Sequence, residues 1–174
     1  PATAAEAFQM SGHDSFIRAE SVLRARKAKL DPSGPLVLGY DPNWKGKDRA
    51  ALARRRGRHC RVESKSNLST VEQVGWLKQI IDKERPARVF IDVGGAGVAM
   101  VDRLHEMGYT SIVRAINFGS APLEPQPTDE NGKPYGGYVN RRAEMWWEMR
   151  EWIRSGGTAG CPPAMSASVT RRGL

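Results

Sequence analysis

Apolar and polar positions alternate along the chain in a pattern that predicts a run of strands followed by alternating helices and strands. Leu36 to Tyr40 is a short apolar run closed by Asp41 and Pro42, which reads as a first strand ending on a carboxylate. A polar loop, Asn43 to Asp48, leads to a second strand over about Ala50 to Arg55. Gly57-Arg58 makes a tight turn into a third strand, Cys60 to Glu63, so the three strands form an antiparallel meander. Ser69 or Thr70 then caps a helix whose Val71, Val74, Leu77 and Ile81 recur at helical spacing, and Pro86 ends it. Val89 to Ile91 is a fourth, fully apolar strand ending on Asp92. A second helix over about Gly97 to Met107 buries Val98, Val101 and Leu104 and stops at Gly108; Ser111 to Ile116 is a fifth strand. Residues 120–137 are rich in proline and glycine and have no period. A last helix over about Asn140 to Ile153 turns Ala143, Trp146, Trp147, Met149 and Ile153 largely inward.

Three antiparallel strands, then helix, strand, helix, strand, helix is the order of an RNase H-like mixed α/β sheet with helices on both faces. In that layout the first and fourth strands are parallel neighbours, so their carboxyl ends bring Asp41 and Asp92 to one place. Two converging carboxylates suit hard divalent cations such as Mg²⁺ or Mn²⁺. Two such ions, about 3.5–4 Å apart, clamp the attacking and leaving oxygens in phosphodiester cleavage. Each Asp taken alone also suits a turn or cap after a strand, and only the pair in this strand order favours metal. Gly94-Gly95-Ala96-Gly97 lets the next helix pack close to the sheet beside Asp92, or cradles phosphate at the helix start. It lacks the spacing of a dinucleotide fingerprint, and no P-loop motif is present.

Charge adds a partner to this picture. A net charge of +8 favours nucleic acid, against the plainer reading of a solubilising surface. The basic residues gather after Asp41, at Lys45, Lys47, Arg49, Arg54, Arg55, Arg56, Arg58 and Arg61. Of these, Lys45, Lys47, Arg49, Arg54 and Arg56 are the candidate phosphate grips. A solvated strand edge defended by charge is the alternative. Trp44 suits stacking on a base or covering the sheet end. The three histidines share no spacing that suggests a triad or zinc site, and two unpatterned cysteines suit a reducing compartment. No apolar run reaches membrane-spanning length and no signal peptide is visible, so no membrane partner is expected.

Taken together, these stretches resemble the C-terminal nuclease domain of the large terminase subunit of tailed bacteriophages. The matching segments are Gly39-Tyr40-Asp41-Pro42 with Gly46-Lys47-Asp48-Arg49, then Val89 to Gly97, Val101-Asp102-Arg103-Leu104, Ile116-Asn117-Phe118-Gly119 and Asn140 to Trp146. Ala5-Glu6-Ala7-Phe8-Gln9 resembles the end of the family's ATPase domain. The resemblance implies a metal-dependent endonuclease that cuts double-stranded viral DNA during packaging. It also implies an upstream ATPase domain, a small terminase subunit and a portal as partners, and the host cytoplasm as location. By resemblance Asp41 and Asp92 are the first two catalytic acids and metal ligands. The family's third acid lies in a later segment that has no recognisable counterpart here.

Residues 1–34 then read as a linker or arm, 35–155 as the nuclease domain, and 156–174 as an irregular tail that is truncated or frame-shifted. The missing initiator Met fits an excised piece of a longer chain. A missing carboxylate implies weak or absent cutting by this chain alone, with Asp48, Glu63 and Glu144 equally open as substitutes. Two rivals remain: a resolvase- or transposase-type nuclease of the same fold, and a non-catalytic basic DNA-binding module of a packaging motor.

Overall fold

The computed structural model describes residues 15–43, 48–124, 130–132 and 136–155. Five strands form one mixed sheet: β1 (Leu36–Asp41), β2 (Arg49–Arg56), β3 (His59–Ser66), β4 (Arg88–Asp92) and β5 (Val113–Ile116). The helices are α1 (Ala19–Lys27), α2 (Thr70–Glu84), α3 (Gly97–Leu104) and α4 (Arg141–Arg154). The strand order is β3-β2-β1-β4-β5, with β1 antiparallel to β2 and parallel to β4. This is the RNase H-like arrangement expected from the sequence. The predicted tail, 156–174, and the first part of the arm lie outside the described residues.

Alternation along the strands decides where the core sits. Leu36, Leu38 and Tyr40 of β1, Leu52 of β2, Val89 and Ile91 of β4 and Val113 of β5 are buried on one face. They meet Val74, Leu77, Ile80 and Ile81 of α2 and Met100, Val101 and Leu104 of α3 in one apolar cluster. The two crossover helices touch each other and share this face. Full burial of side chains such as Leu38, Leu77 and Ile91 stabilises the fold by about 1.5–3 kcal/mol each.

Helix α2 starts with a capping box. The Ser69 hydroxyl accepts from the Glu72 N–H, and the Glu72 carboxylate accepts from the Ser69 N–H. It ends at Arg85, whose left-handed backbone (φ 47°) turns the chain toward Pro86 and β4. Helix α3 is α-helical only to Leu104; a π-helical turn, His105–Tyr109, carries it to Gly108 at φ 92°. Helix α1 has no buried residue and contacts α4, with a Phe16–Trp147 ring contact beside the pair.

Several apolar positions lie outside the core that their spacing predicts. Val71 and Val98 are exposed, and the α2 stripe instead includes Gln73. In α4, Trp146, Trp147 and Met149 are exposed while Glu144 and Ile153 are buried. Among the described residues α4 packs chiefly on α1, which has no buried residue, and its aromatic side is left open. Arg150 covers part of it instead, stacked over the rings of Phe16 and Trp147.

Candidate metal centre

Strand register brings the two predicted acids together. In the parallel β1–β4 pair, Gly39 lies beside Phe90 and Tyr40 beside Ile91, so the next step sets Asp41 level with Asp92. Neighbouring residues in register project to the same face, on strands about 4.8 Å apart. That face is opposite Tyr40 and Ile91, and so turns away from the core under α2 and α3. Asp41 is exposed and Asp92 half-buried. On the outer flanks Asp41 pairs with Ala51, and Asp92 with Ile116.

Electrostatics ties Asp41 to its acidic neighbours. The Asp41 carboxyl is held above its ordinary value by burial first, then by the charge of Asp92, then by that of Asp48. Among the described residues no Lys or Arg forms a salt bridge with either acid. Asp92 is oriented locally: its Oδ1 accepts from the Gly94 N–H at 3.0 Å. Among the described residues no hydrogen bond reaches its second oxygen.

The three possible substitutes for a third acid separate clearly. Asp48 precedes β2 at the acid end of the sheet, close enough for its charge to act on Asp41. Glu63 pairs with Arg54 at 2.8 Å, and Arg54 also holds Glu84 of α2 at 3.0 Å. Glu144 is buried and accepts from the N–H groups of Leu123 and Glu124, both at 2.9 Å, and from Arg141. Burial alone would raise the Glu144 carboxyl, but these donors outweigh it and hold it below the usual range. Among the described residues no group of three or more acids, histidines or cysteines stands at metal-holding distance. Asp41 and Asp92 do fit a hard divalent ion in donor chemistry, with its remaining positions left to water and phosphate oxygens.

The basic set divides by strand alternation. Ala50 and Leu52 face the core, so Arg54 and Arg56 follow them, whereas Arg49 and Arg55 share the face of Asp41. Arg54 is engaged by Glu63 and Glu84, and Arg56 donates to the Gly34 carbonyl at 3.1 Å. Arg49 is exposed at the acid end of β2. Lys45 and Lys47, with Trp44, lie outside the described residues.

Gln73 is a positioning residue that the sequence reading missed. Buried in α2, its Oε1 accepts from the Tyr40 hydroxyl at 3.1 Å and from the Asn43 N–H at 3.2 Å. Its Nε2 donates to the Asn43 carbonyl at 3.1 Å. One side chain therefore fastens the turn that follows Asp41 to the start of α2. The signal was available, since Gln73 stands four residues before Leu77 on the buried stripe, where a polar group must find partners.

No protein-family model matches the chain, and no curated protein matches it. Solved structures do. The nuclease domain of the large terminase subunit of bacterial virus Sf6 superposes with a TM-score of 0.65 at 18% identity, over 80% of this chain and 64% of that one. The chain carries the fold of a phage terminase nuclease domain. One point mutant of the same Sf6 domain matches at a TM-score of 0.66 with manganese and beta-thujaplicinol, and at 0.65 with calcium, both at 18% identity. The chain thus spans slightly under two thirds of these terminase domains, and each match covers 80% of it.

Proposed function

We propose that this domain is a metal-dependent endonuclease of a viral DNA-packaging terminase, cutting double-stranded DNA. The observation that carries the reading is the acid pair: Asp41 and Asp92 end adjacent parallel strands in register, on one face, with no salt bridge to either among the described residues. Both would hold Mg²⁺ or Mn²⁺, two ions in the working site. When bound, such ions supply Lewis acidity at the phosphate and activate water for attack. The Gly94 N–H fixes the orientation of Asp92, and Gln73 fixes the turn after Asp41. Arg49, with Lys45 and Lys47, grips the DNA phosphates without reading sequence. Arg54, held by Glu63 and Glu84, and Arg56, on the Gly34 carbonyl, face away from the acid pair and serve the sheet rather than this grip. An upstream ATPase domain, a small terminase subunit and a portal are the accompanying parts, and the host cytoplasm is the setting. Among the described residues no helix is long and apolar enough to cross a membrane.

One observation favours a second reading. With no third carboxylate at metal-holding distance among the described residues, the domain also suits a basic DNA-binding module with weak or absent cutting. A plasmid-nicking assay with Mn²⁺, beside Asp92→Ala and EDTA controls, separates the two. Cutting that vanishes in both controls is the expected result. DNA binding that is indifferent to EDTA and to Asp92→Ala, with no cutting, would replace the nuclease reading with the binding module.

A further inference from the structure

The first turn of α3 is seated against the ends of both acid-bearing strands. A Cβ placed on Gly97 would lie 1.8 Å from the Asp92 carbonyl oxygen, 2.8 Å from its carbonyl carbon and 3.4 Å from Cγ of Pro42. Gly97 therefore sits where the turns following Asp41 and Asp92 meet. The obstructing atoms are main chain, so no side-chain rotation relieves the overlap. Atoms of this kind rest about 3.5 Å or more apart, so a methyl group would force the helix and strand end apart by more than about 1 Å.

The helix is the stiffer partner. Met100, Val101 and Leu104 follow Gly97 into the apolar cluster, and moving α3 outward would withdraw them from it. The end of β4 is softer: beyond the ladder it is held by the Val93 N–H donating to the Ile116 carbonyl at 3.0 Å. Displacement therefore falls on the end of β4, at Asp92, and changes its position relative to Asp41. A metal site tolerates about 0.2 Å in its ligand distances.

We propose that Gly97 is a positioning residue that sets the spacing of the Asp41–Asp92 pair, through the main chain of Asp92 and the ring of Pro42. The proposal rests on the reading of that pair as a metal site. Its neighbours supply graded comparisons. A Cβ on Gly94 would meet the Asp92 carboxylate itself at 3.3 and 3.5 Å, while one on Gly95 would meet nothing within 4 Å.

The test is a Mn²⁺ titration followed by electron paramagnetic resonance on the whole chain, with amide exchange at Val93 measured by NMR. Gly97→Ala should weaken Mn²⁺ binding about 10- to 100-fold and strip the Val93 amide of protection. Gly94→Ala should weaken binding less, and Gly95→Ala should leave it at the wild-type value. Wild-type Mn²⁺ affinity with a protected Val93 amide in folded Gly97→Ala overturns the proposal. Should Gly97→Ala fail to fold, Gly94→Ala decides: wild-type affinity there overturns it equally. If the wild-type chain binds no Mn²⁺, the metal reading of the pair falls, and Val93 exchange alone still decides whether Gly97 positions Asp92.

Discussion

Two kinds of carboxylate occur in this chain, and they are treated in opposite ways. Glu63, Glu84 and Glu144 are each engaged by arginine, and Glu144 by two main-chain N–H groups as well. They hold β2 to β3 and α2, and the segment after β5 to α4. Asp41 and Asp92 receive no such cation among the described residues, and they face each other's charge. The first group lowers the energy of the fold. In the second group the charge of Asp41 is disfavoured by burial and by its acidic neighbours, which is the pattern expected of acids that serve a site rather than the scaffold.

The largest effect expected from this contrast is at Glu144. Glu144→Ala leaves Arg141 and the N–H groups of Leu123 and Glu124 without their acceptor, at a cost of about 3 kcal/mol. Because its folded pKa is depressed, the stability it contributes is present above the ordinary carboxylate range and is lost as pH falls through the folded value. Urea denaturation of wild type and variant should therefore differ most near neutral pH and converge in acid. A constant gap down to strongly acidic pH would contradict this assignment.

Gln73→Leu comes next. It removes the partners of the Tyr40 hydroxyl and of the Asn43 main chain, and should cost about 2 kcal/mol by the same measurement. It should also blunt Mn²⁺ binding, since the turn after Asp41 is released. A loss of stability with no change in Mn²⁺ affinity would make Gln73 a packing residue only.

Asp41→Asn should have the smallest effect and the opposite sign. The Asp41 carboxyl is raised, so its contribution is present below its unfolded pKa and is lost as pH rises through the folded value. At neutral pH in EDTA its charge opposes folding, and the Asn variant should melt above the wild type. In acid, where the wild-type carboxyl is protonated, the two should coincide. A lower melting temperature for Asp41→Asn at neutral pH would place Asp41 among the structural acids.

How much of this was legible in the sequence depended on range. The apolar runs ending at Asp41 and Asp92 marked both strands, and the element order set them side by side, because strand burial and turn chemistry are local signals. The division between Arg49 and Arg54 was also available in principle. It needed only the alternation of Ala50 and Leu52, which the basic run obscured. Glu144 was not legible, because its main-chain donors lie about twenty residues away in an aperiodic segment. For the same reason the aromatic residues of α4 read as core. Large apolar side chains dominate any count of helical spacing, while one of the positions that is buried, Glu144, carries a charge satisfied by Arg141 and by main-chain groups outside the helix.

The central claim is that Asp41 and Asp92 form one shared site for a divalent ion. The most direct measurement is calorimetric titration of Mn²⁺ into the wild type, Asp41→Asn and Asp92→Asn. A binding isotherm in the wild type that is lost in both variants, each still folded, is the result predicted here. Equal binding in all three would contradict it and return both acids to the role of strand-end turn residues.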